Sequence, residues 1–193
     1  MRRLCVFCGS SSGADPAYVA ATEALGDLLA AERVGLVYGG AAVGLMGALA
    51  NAVLAAGGEV VGVIPKGLFA REIDHRGITL LYEVGSMHER KQRMYDLADA
   101  FLALPGGFGT LEEVAEVITW NQLGIYSKPV ALLDVAGYWS GLFDLFDRAV
   151  ADGFVRADHR RAIVRVESAH DVLPALRSVE LPVVHKWLDL DET

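Results

Sequence analysis

The segment Leu104-Pro105-Gly106-Gly107-Phe108-Gly109-Thr110-Leu111-Glu112-Glu113 has the residue types best suited to chemistry, with three glycines and a proline in positions 105–109. Glycine lets the main chain turn sharply and brings bare amides close to a ligand. A helix opening here adds free N–H groups and the positive end of its dipole, and Thr110 adds a hydroxyl. Together these favour a phosphate group. The spacing is not that of a nucleoside triphosphatase loop, because no Gly-Lys-Ser/Thr comes after it. Nor is it the Gly-x-Gly-x-x-Gly of a dinucleotide site at a first strand. A plainer reading stands beside it: a strand-to-helix turn with a capping box, the Glu113 carboxylate closing on Thr110. The glycine density exceeds what a cap requires and tilts the balance toward a ligand.

Met87-His88-Glu89-Arg90-Lys91-Gln92-Arg93 supplies the cations that an acidic chain otherwise lacks. Helical spacing puts Arg90, Met94 and Leu97 on one face with Lys91 beside it. Such a stretch is commonly a solvated face. Basic residues in a first helical turn oppose the dipole, however, and a bound phosphate would reconcile them with it. Gly9-Ser10-Ser11-Ser12 offers hydroxyls and amides, with Ser10 a second candidate anion contact, although serine clusters are ordinarily turns. Gly39, Gly40, Gly44 and Gly47 crowd another turn, and Gly47 reads as close helix–strand packing. Cys5-x-x-Cys8 lies in an apolar run and reads as buried small side chains. The five histidines show no metal-ligand spacing, no Gly-x-Ser-x-Gly elbow occurs, and Trp120, Trp139 and Trp187 read as core or interface residues.

These segments need a scaffold. The chain has 193 residues, 53% of them apolar, with 17 Lys+Arg against 25 Asp+Glu and a net charge of −8. That supplies a core, excludes general disorder, and argues against a nucleic-acid polymer as partner. Two cysteines exclude a disulfide scaffold, and no apolar run is long enough to span a membrane. The basic-then-apolar start is too short for a signal peptide and reads as a first strand of a cytoplasmic protein. Strands are expected at Leu4–Cys8, Gly35–Tyr38, Glu59–Ile64, Ile78–Tyr82, Ala100–Leu104, Pro129–Leu133 and Ala162–Val166, mostly apolar throughout, as in sheets covered on both faces. Helices are expected after Asp15-Pro16, over Gly44–Ala56, after the capping boxes Ser86-x-x-Glu89 and Thr110-x-x-Glu113, over Tyr138–Asp152, and over Ala169–Leu176. The alternation predicts an α/β fold: a Rossmann-like, doubly wound parallel sheet of about seven strands with helices on both faces. It is one domain over residues 1–193, with 180–193 as a C-terminal tail. Ligands in such sheets sit beyond the carboxyl ends of the strands, where the segments above fall.

The run Met87-His88-x-Arg90-Lys91-x-x-Met94, followed by Ala98-Asp99-x-Phe101-x-x-Leu104-Pro105-Gly106-Gly107-x-Gly109-Thr110-x-x-Glu113, closely resembles the LOG family. These are cytokinin riboside 5′-monophosphate phosphoribohydrolases, some long labelled lysine decarboxylases. The likeness extends to Val6–Ser12, Val37–Gly40, Val43–Gly47, Arg71-Glu72-Ile73, Val117–Gly124 and Lys128-Pro129-Val130, and departs at Ala41-Ala42. The resemblance implies a Rossmann-like fold, a homodimer with the active site near the subunit interface, and no metal or other cofactor. It also implies hydrolysis of the N-glycosidic bond of a nucleoside 5′-monophosphate, adenosine 5′-monophosphate or an N6-modified form, to free base and ribose 5-phosphate. Arg90 and Glu113 match the family's catalytic pair. Glu72, Lys91, Gly107, Phe108, Gly109, Thr110, Leu111, Glu112 and Thr119 match substrate-contacting positions.

The chemistry agrees. Glycosidic cleavage builds positive charge on the sugar, and a carboxylate, Glu113, can stabilise that charge or activate water. Arg90 would hold the phosphate or Glu113, and the Gly106–Thr110 turn would hold the phosphate. A non-catalytic nucleotide-binding module with the same turn is the alternative. A pyridoxal decarboxylase would need a Schiff-base lysine in a suitable setting, which none of Lys66, Lys91, Lys128 and Lys186 has.

Overall fold

The computed structural model describes residues 1–66, 75 and 77–182. β1 (Arg3–Phe7) leads to α1 (Pro16–Ala31), which starts as expected: Asp15 caps it by accepting from the Ala17 N–H at 2.8 Å, and Pro16 fills the first helical position. β2 (Gly35–Tyr38) and α2 (Gly44–Ala55) come next, and α2 ends before Gly57 at a φ of 78°. Then come β3 (Val60–Pro65), β4 (Leu80–Val84), α3 (Met87–Leu97), β5 (Ala100–Ala103) and α4 (Phe108–Gln122). β6 (Val130–Leu133), α5 (Ser140–Ala151), α6 (Ala157–Arg161), β7 (Ile163–Val166) and α7 (Val172–Ser178) complete the described chain. No helix among the described residues is long and apolar enough to cross a membrane.

The strands form one parallel seven-stranded sheet in the order β4-β3-β2-β1-β5-β6-β7. β1, β2, β3, β5 and β6 are almost wholly buried, which explains their unbroken apolar sequence. Alternate residues face opposite layers. Leu4, Val6, Leu36, Leu102 and Leu133 pack against α1, α2 and α7; Phe7, Val37, Val63, Phe101 and Leu132 pack against α3, α4 and α5. Each fully buried Leu, Val or Phe side chain contributes about 1.5–3 kcal/mol, so the two layers dominate the stability of the sheet. The chain therefore has the doubly wound architecture that the alternation predicts.

Three expected elements shift by two residues or more. The last helix, expected over Ala169–Leu176, runs from Val172 to Ser178 after a 3₁₀ turn at Ala169–Asp171. The fourth strand is Leu80–Val84 rather than Ile78–Tyr82; it lies at the sheet edge, half exposed, and so lacks an apolar run to mark its start. The helix expected from Tyr138 starts at Ser140, after a 3₁₀ turn at Val135–Gly137. Gly47 packs as expected, since a Cβ there would overlap the main chain of Ala42.

Candidate active site

Strand order reverses at β1, whose neighbours are β2 and β5, and a ligand crevice is expected at that switch point. The main chain is stitched together there. The Gly9 N–H donates to the Pro105 carbonyl at 3.1 Å, and the Gly9 carbonyl accepts from Leu45 N–H at 3.1 Å. Gly44 adopts a φ of 57°, and a Cβ on it would run into the main chain of Ser10. A Cβ on Gly106 would meet the Thr110 side chain and lie 2.9 Å from the Gly9 amide. The loop after β1 and the elbow after β5 therefore approach closely, and only glycines permit it.

The result is a cleft of about 310 Å³ lined by the carboxyl ends of β1 and β3 and by segments that follow the strands: Gly9 and Ser10, Gly39, Met87 and Arg90, and Gly107 to Thr110 with Glu113, beside Ile64 and Pro65 of β3. α4 opens at the cleft with Gly107 as its N-cap and no side chain capping it. Its first amides are thus left for a ligand. This corrects the expected capping box. Thr110 is buried inside the first turn, because Gly107 already takes the cap, and the Glu113 carboxylate is directed to Arg90 instead. At α3 the box holds in modified form: Ser86 accepts from the Glu89 N–H at 3.1 Å, while the Glu89 carboxylate reaches the Gly85 N–H at 2.7 Å.

Arg90 comes from the first turn of α3 and Glu113 from the second turn of α4. Arg90 Nη1 donates to Glu113 Oε1 at 3.3 Å, Nε donates to the Val63 carbonyl at 3.2 Å, and Met87 Sδ lies 3.3 Å from Nη1. The pair is nearly buried, with side-chain exposures of 15% and 12%. Burial raises the Glu113 carboxyl above the ordinary range; the Arg90 guanidinium opposes this and the neighbouring Glu112 adds to it. Gly39 leaves room for the guanidinium, since a Cβ there would overlap Arg90 Nη2. The guanidinium is the flexible partner and would swing aside. Gly39→Ala is expected to cut kcat/KM by about 10²-fold through misplacement of Arg90, with little change in melting temperature. Steady-state kinetics beside a thermal melt checks this.

The other expected site residues separate into groups. Ser10, Gly107, Phe108, Gly109 and Thr110 line the cleft, with Phe108 91% exposed at its mouth. Gly106 lies behind the lining, against Thr110 and Gly9. Lys91 is buried and bound to Glu112 at 2.6 Å and Glu116 at 2.9 Å. Burial works against its charge, but the two carboxylates prevail and raise its pKa. Tyr95 donates to the same Glu116, so Lys91, Glu112, Glu116 and Tyr95 tie α3 to α4 beside the Arg90–Glu113 pair. Leu111 packs against the α3/α4 layer, and the Thr119 hydroxyl donates to the Ala115 carbonyl of its own helix. Glu72 lies outside the described residues. Ala41 is buried, and neither Ala41 nor Ala42 lines the cleft, whereas Gly39 does. Cys8, Met46, Ile64 and Met87 line it although the sequence does not single them out for a site; as single apolar residues they carry no local signal. Cys5 and Cys8 are buried free thiols, and Trp139 is a core residue. No group of three or more His, Cys, Asp or Glu side chains among the described residues is arranged to hold a metal.

An open parallel sheet with a cleft at its switch point defines a Rossmann-like α/β protein. Solved structures share this fold: the molybdenum cofactor carrier protein of Chlamydomonas reinhardtii (TM-score 0.68, 18% identity, covering 91% of this chain and 96% of that one) and the molybdenum cofactor binding protein of Rippkaea orientalis (TM-score 0.68, 21% identity, 92% and 96%). At those identities the likeness is one of fold. The sequence goes further. A family model described as "Possible lysine decarboxylase" matches residues 46–176. The probable cytokinin riboside 5′-monophosphate phosphoribohydrolase LOGL9 of Oryza sativa subsp. japonica is 53% identical over 175 residues, 91% of this chain and 77% of that protein. The cytokinin riboside 5′-monophosphate phosphoribohydrolase LOG7 of Arabidopsis thaliana is 51% identical over 179 residues, 93% of this chain and 82% of that protein. The chain belongs to the LOG family.

Proposed function

We propose that this protein hydrolyses the N-glycosidic bond of adenosine 5′-monophosphate or its N6-modified, cytokinin-type forms, giving free base and ribose 5-phosphate. One observation carries the reading: a buried carboxylate, Glu113, sits beside Arg90 in a cleft that also presents the uncapped start of α4. The 5′-phosphate binds the amides of Gly107 to Thr110, with the helix dipole and the Thr110 hydroxyl. That anchor directs the ribose toward Glu113, one turn further along α4. As the bond from C1′ to the base breaks, its electron pair leaves with the base and positive charge grows on the sugar. The Glu113 carboxylate stabilises that charge. Water adds to C1′, and its proton is passed on, leaving neutral base. Arg90 orients Glu113 and favours its ionised form.

The lysine decarboxylase description finds no support in the cleft, which none of the described lysines lines. Lys91 is committed to two carboxylates, and Lys128 donates to the Tyr95 carbonyl at 2.6 Å. The exposed Leu123 and Ile125 at the far end of α4 support a second copy of the chain as their cover, and hence the homodimer. The protein acts in the cytoplasm on small nucleotides rather than on a nucleic-acid polymer, whose backbone a net charge of −8 would repel.

Incubation with N6-isopentenyladenosine 5′-monophosphate and with adenosine 5′-monophosphate, followed by chromatography, tests the reading. Free base and ribose 5-phosphate in equal amounts are expected; appearance of the nucleoside and orthophosphate, or no product, contradicts it. The pH profile is set by the burial of Glu113. Its active form is the carboxylate and its pKa is raised, so kcat/KM should fall as pH drops through a value above the ordinary glutamate pKa of about 4.3. Arg90→Gln removes the charge that holds this pKa down and should move that acid limb to higher pH. An unmoved limb assigns the titration to another group.

A further inference from the structure

We infer that Tyr138, which is not part of the cleft lining, is a positioning residue for the phosphate site: its hydroxyl sets the Gly106–Gly107 peptide so that the Gly107 N–H faces the ligand. The inference rests on the phosphate placement proposed above. The phenol O–H donates to the Gly106 carbonyl oxygen, 32 residues away in sequence. The described peptide bonds are trans, so the N–H of this unit points opposite to its carbonyl. Anchoring the carbonyl on Tyr138 turns the Gly107 N–H to the other side, where Gly107 lines the cleft. That N–H has no hydrogen-bond partner among the described residues. The peptide lies between two glycines, which can rotate it at little steric cost, so an outside restraint is needed to hold one orientation.

Tyr138 is 42% exposed, and its ring is held from the protein side. Ala136 and Gly137 take φ values of 53° and 72°, a turn that brings the tyrosine under the elbow. The turn is held by Asp134, whose side chain is fully buried. It accepts from the Trp139 N–H at 2.6 Å and pairs with Arg165 at 2.5 Å. The Tyr138 ring meets Trp139 and Tyr18 edge-on, with centroids 4.8 Å and 5.8 Å away. These rings fix the direction of the hydroxyl. A purely structural tyrosine would need only its ring; the hydroxyl goes to the peptide that leads directly into Gly107, the cap of α4.

Tyr138→Phe keeps both ring contacts and removes only the hydroxyl. The KM for the nucleotide and the inhibition constant of ribose 5-phosphate are expected to rise about tenfold. The inhibition constant of the free base is expected to stay within about twofold of that of the unaltered protein, and the melting temperature close to its own. Unchanged affinity for ribose 5-phosphate, or equal weakening of ribose 5-phosphate and base, overturns the inference. Calorimetric titration of ribose 5-phosphate into both proteins reads the same effect without turnover. Failure of the unaltered protein to release base would therefore count against the proposed activity alone.

Discussion

Glu113→Gln is expected to bind adenosine 5′-monophosphate about as well as the unaltered protein while losing base release by about 10²–10⁴-fold. The amide keeps the shape of the side chain and can still accept from Arg90, so the cleft and its phosphate cradle are preserved. What disappears is the negative charge facing the sugar when positive charge develops there. The loss should fall on kcat rather than on KM, because the interaction is stronger in the transition state than in the bound substrate. Unfolding is not an alternative explanation. Burial raises the Glu113 pKa, so its ionised form costs the native state stability at any pH above that value. At neutral pH the variant should therefore melt at or above the parental temperature, and the gap should close as pH falls below the ordinary carboxylate range. Near-native turnover by the variant would remove Glu113 from the mechanism.

The second large effect concerns the substrate. Removing the 5′-phosphate, by offering adenosine in place of adenosine 5′-monophosphate, is expected to lower kcat/KM by on the order of 10³-fold. Hydrogen bonds from neutral amides to a charged phosphate are each worth about 1.5–3 kcal/mol, and the uncapped start of α4 offers several. Part of that binding energy holds the sugar beside Glu113, so kcat should fall as well as KM rise. A decrease in affinity alone would mean that the phosphate binds but does not position. Equal rates on both compounds would mean that the elbow does not hold the phosphate at all.

The layered fold is legible because its central strands are covered on both faces, and apolar runs such as Leu4–Phe7 and Ala100–Ala103 announce that directly. The edge strand Leu80–Val84 falls two residues from its expected place because partial exposure dilutes the same signal. The elbow after β5 is legible as a tight strand-to-helix turn from glycine density. Its capping box is not, because Thr110-x-x-Glu113 satisfies the local pattern while Gly107 takes the cap one turn earlier. Lys91 looks like a free cation along the chain. Only packing of α3 on α4 shows that Glu112 and Glu116 already hold it. Arg90 and Glu113 are 23 residues apart, so family resemblance rather than spacing pairs them in the sequence, and the fold brings them to 3.3 Å. Tyr138 carries no local sign of any role, because its partner is a carbonyl that every residue possesses.

The spatial claim beneath all of this is that the nucleotide lies with its phosphate on the start of α4 and its anomeric carbon facing residue 113. A crystal structure of Glu113→Gln with bound N6-isopentenyladenosine 5′-monophosphate tests it most directly. Phosphate oxygens within about 3 Å of the Gly107–Thr110 amides, with C1′ turned to the substituted side chain at position 113 beside Arg90, are the expected result. A phosphate bound elsewhere, or an anomeric carbon turned away from position 113, would contradict it.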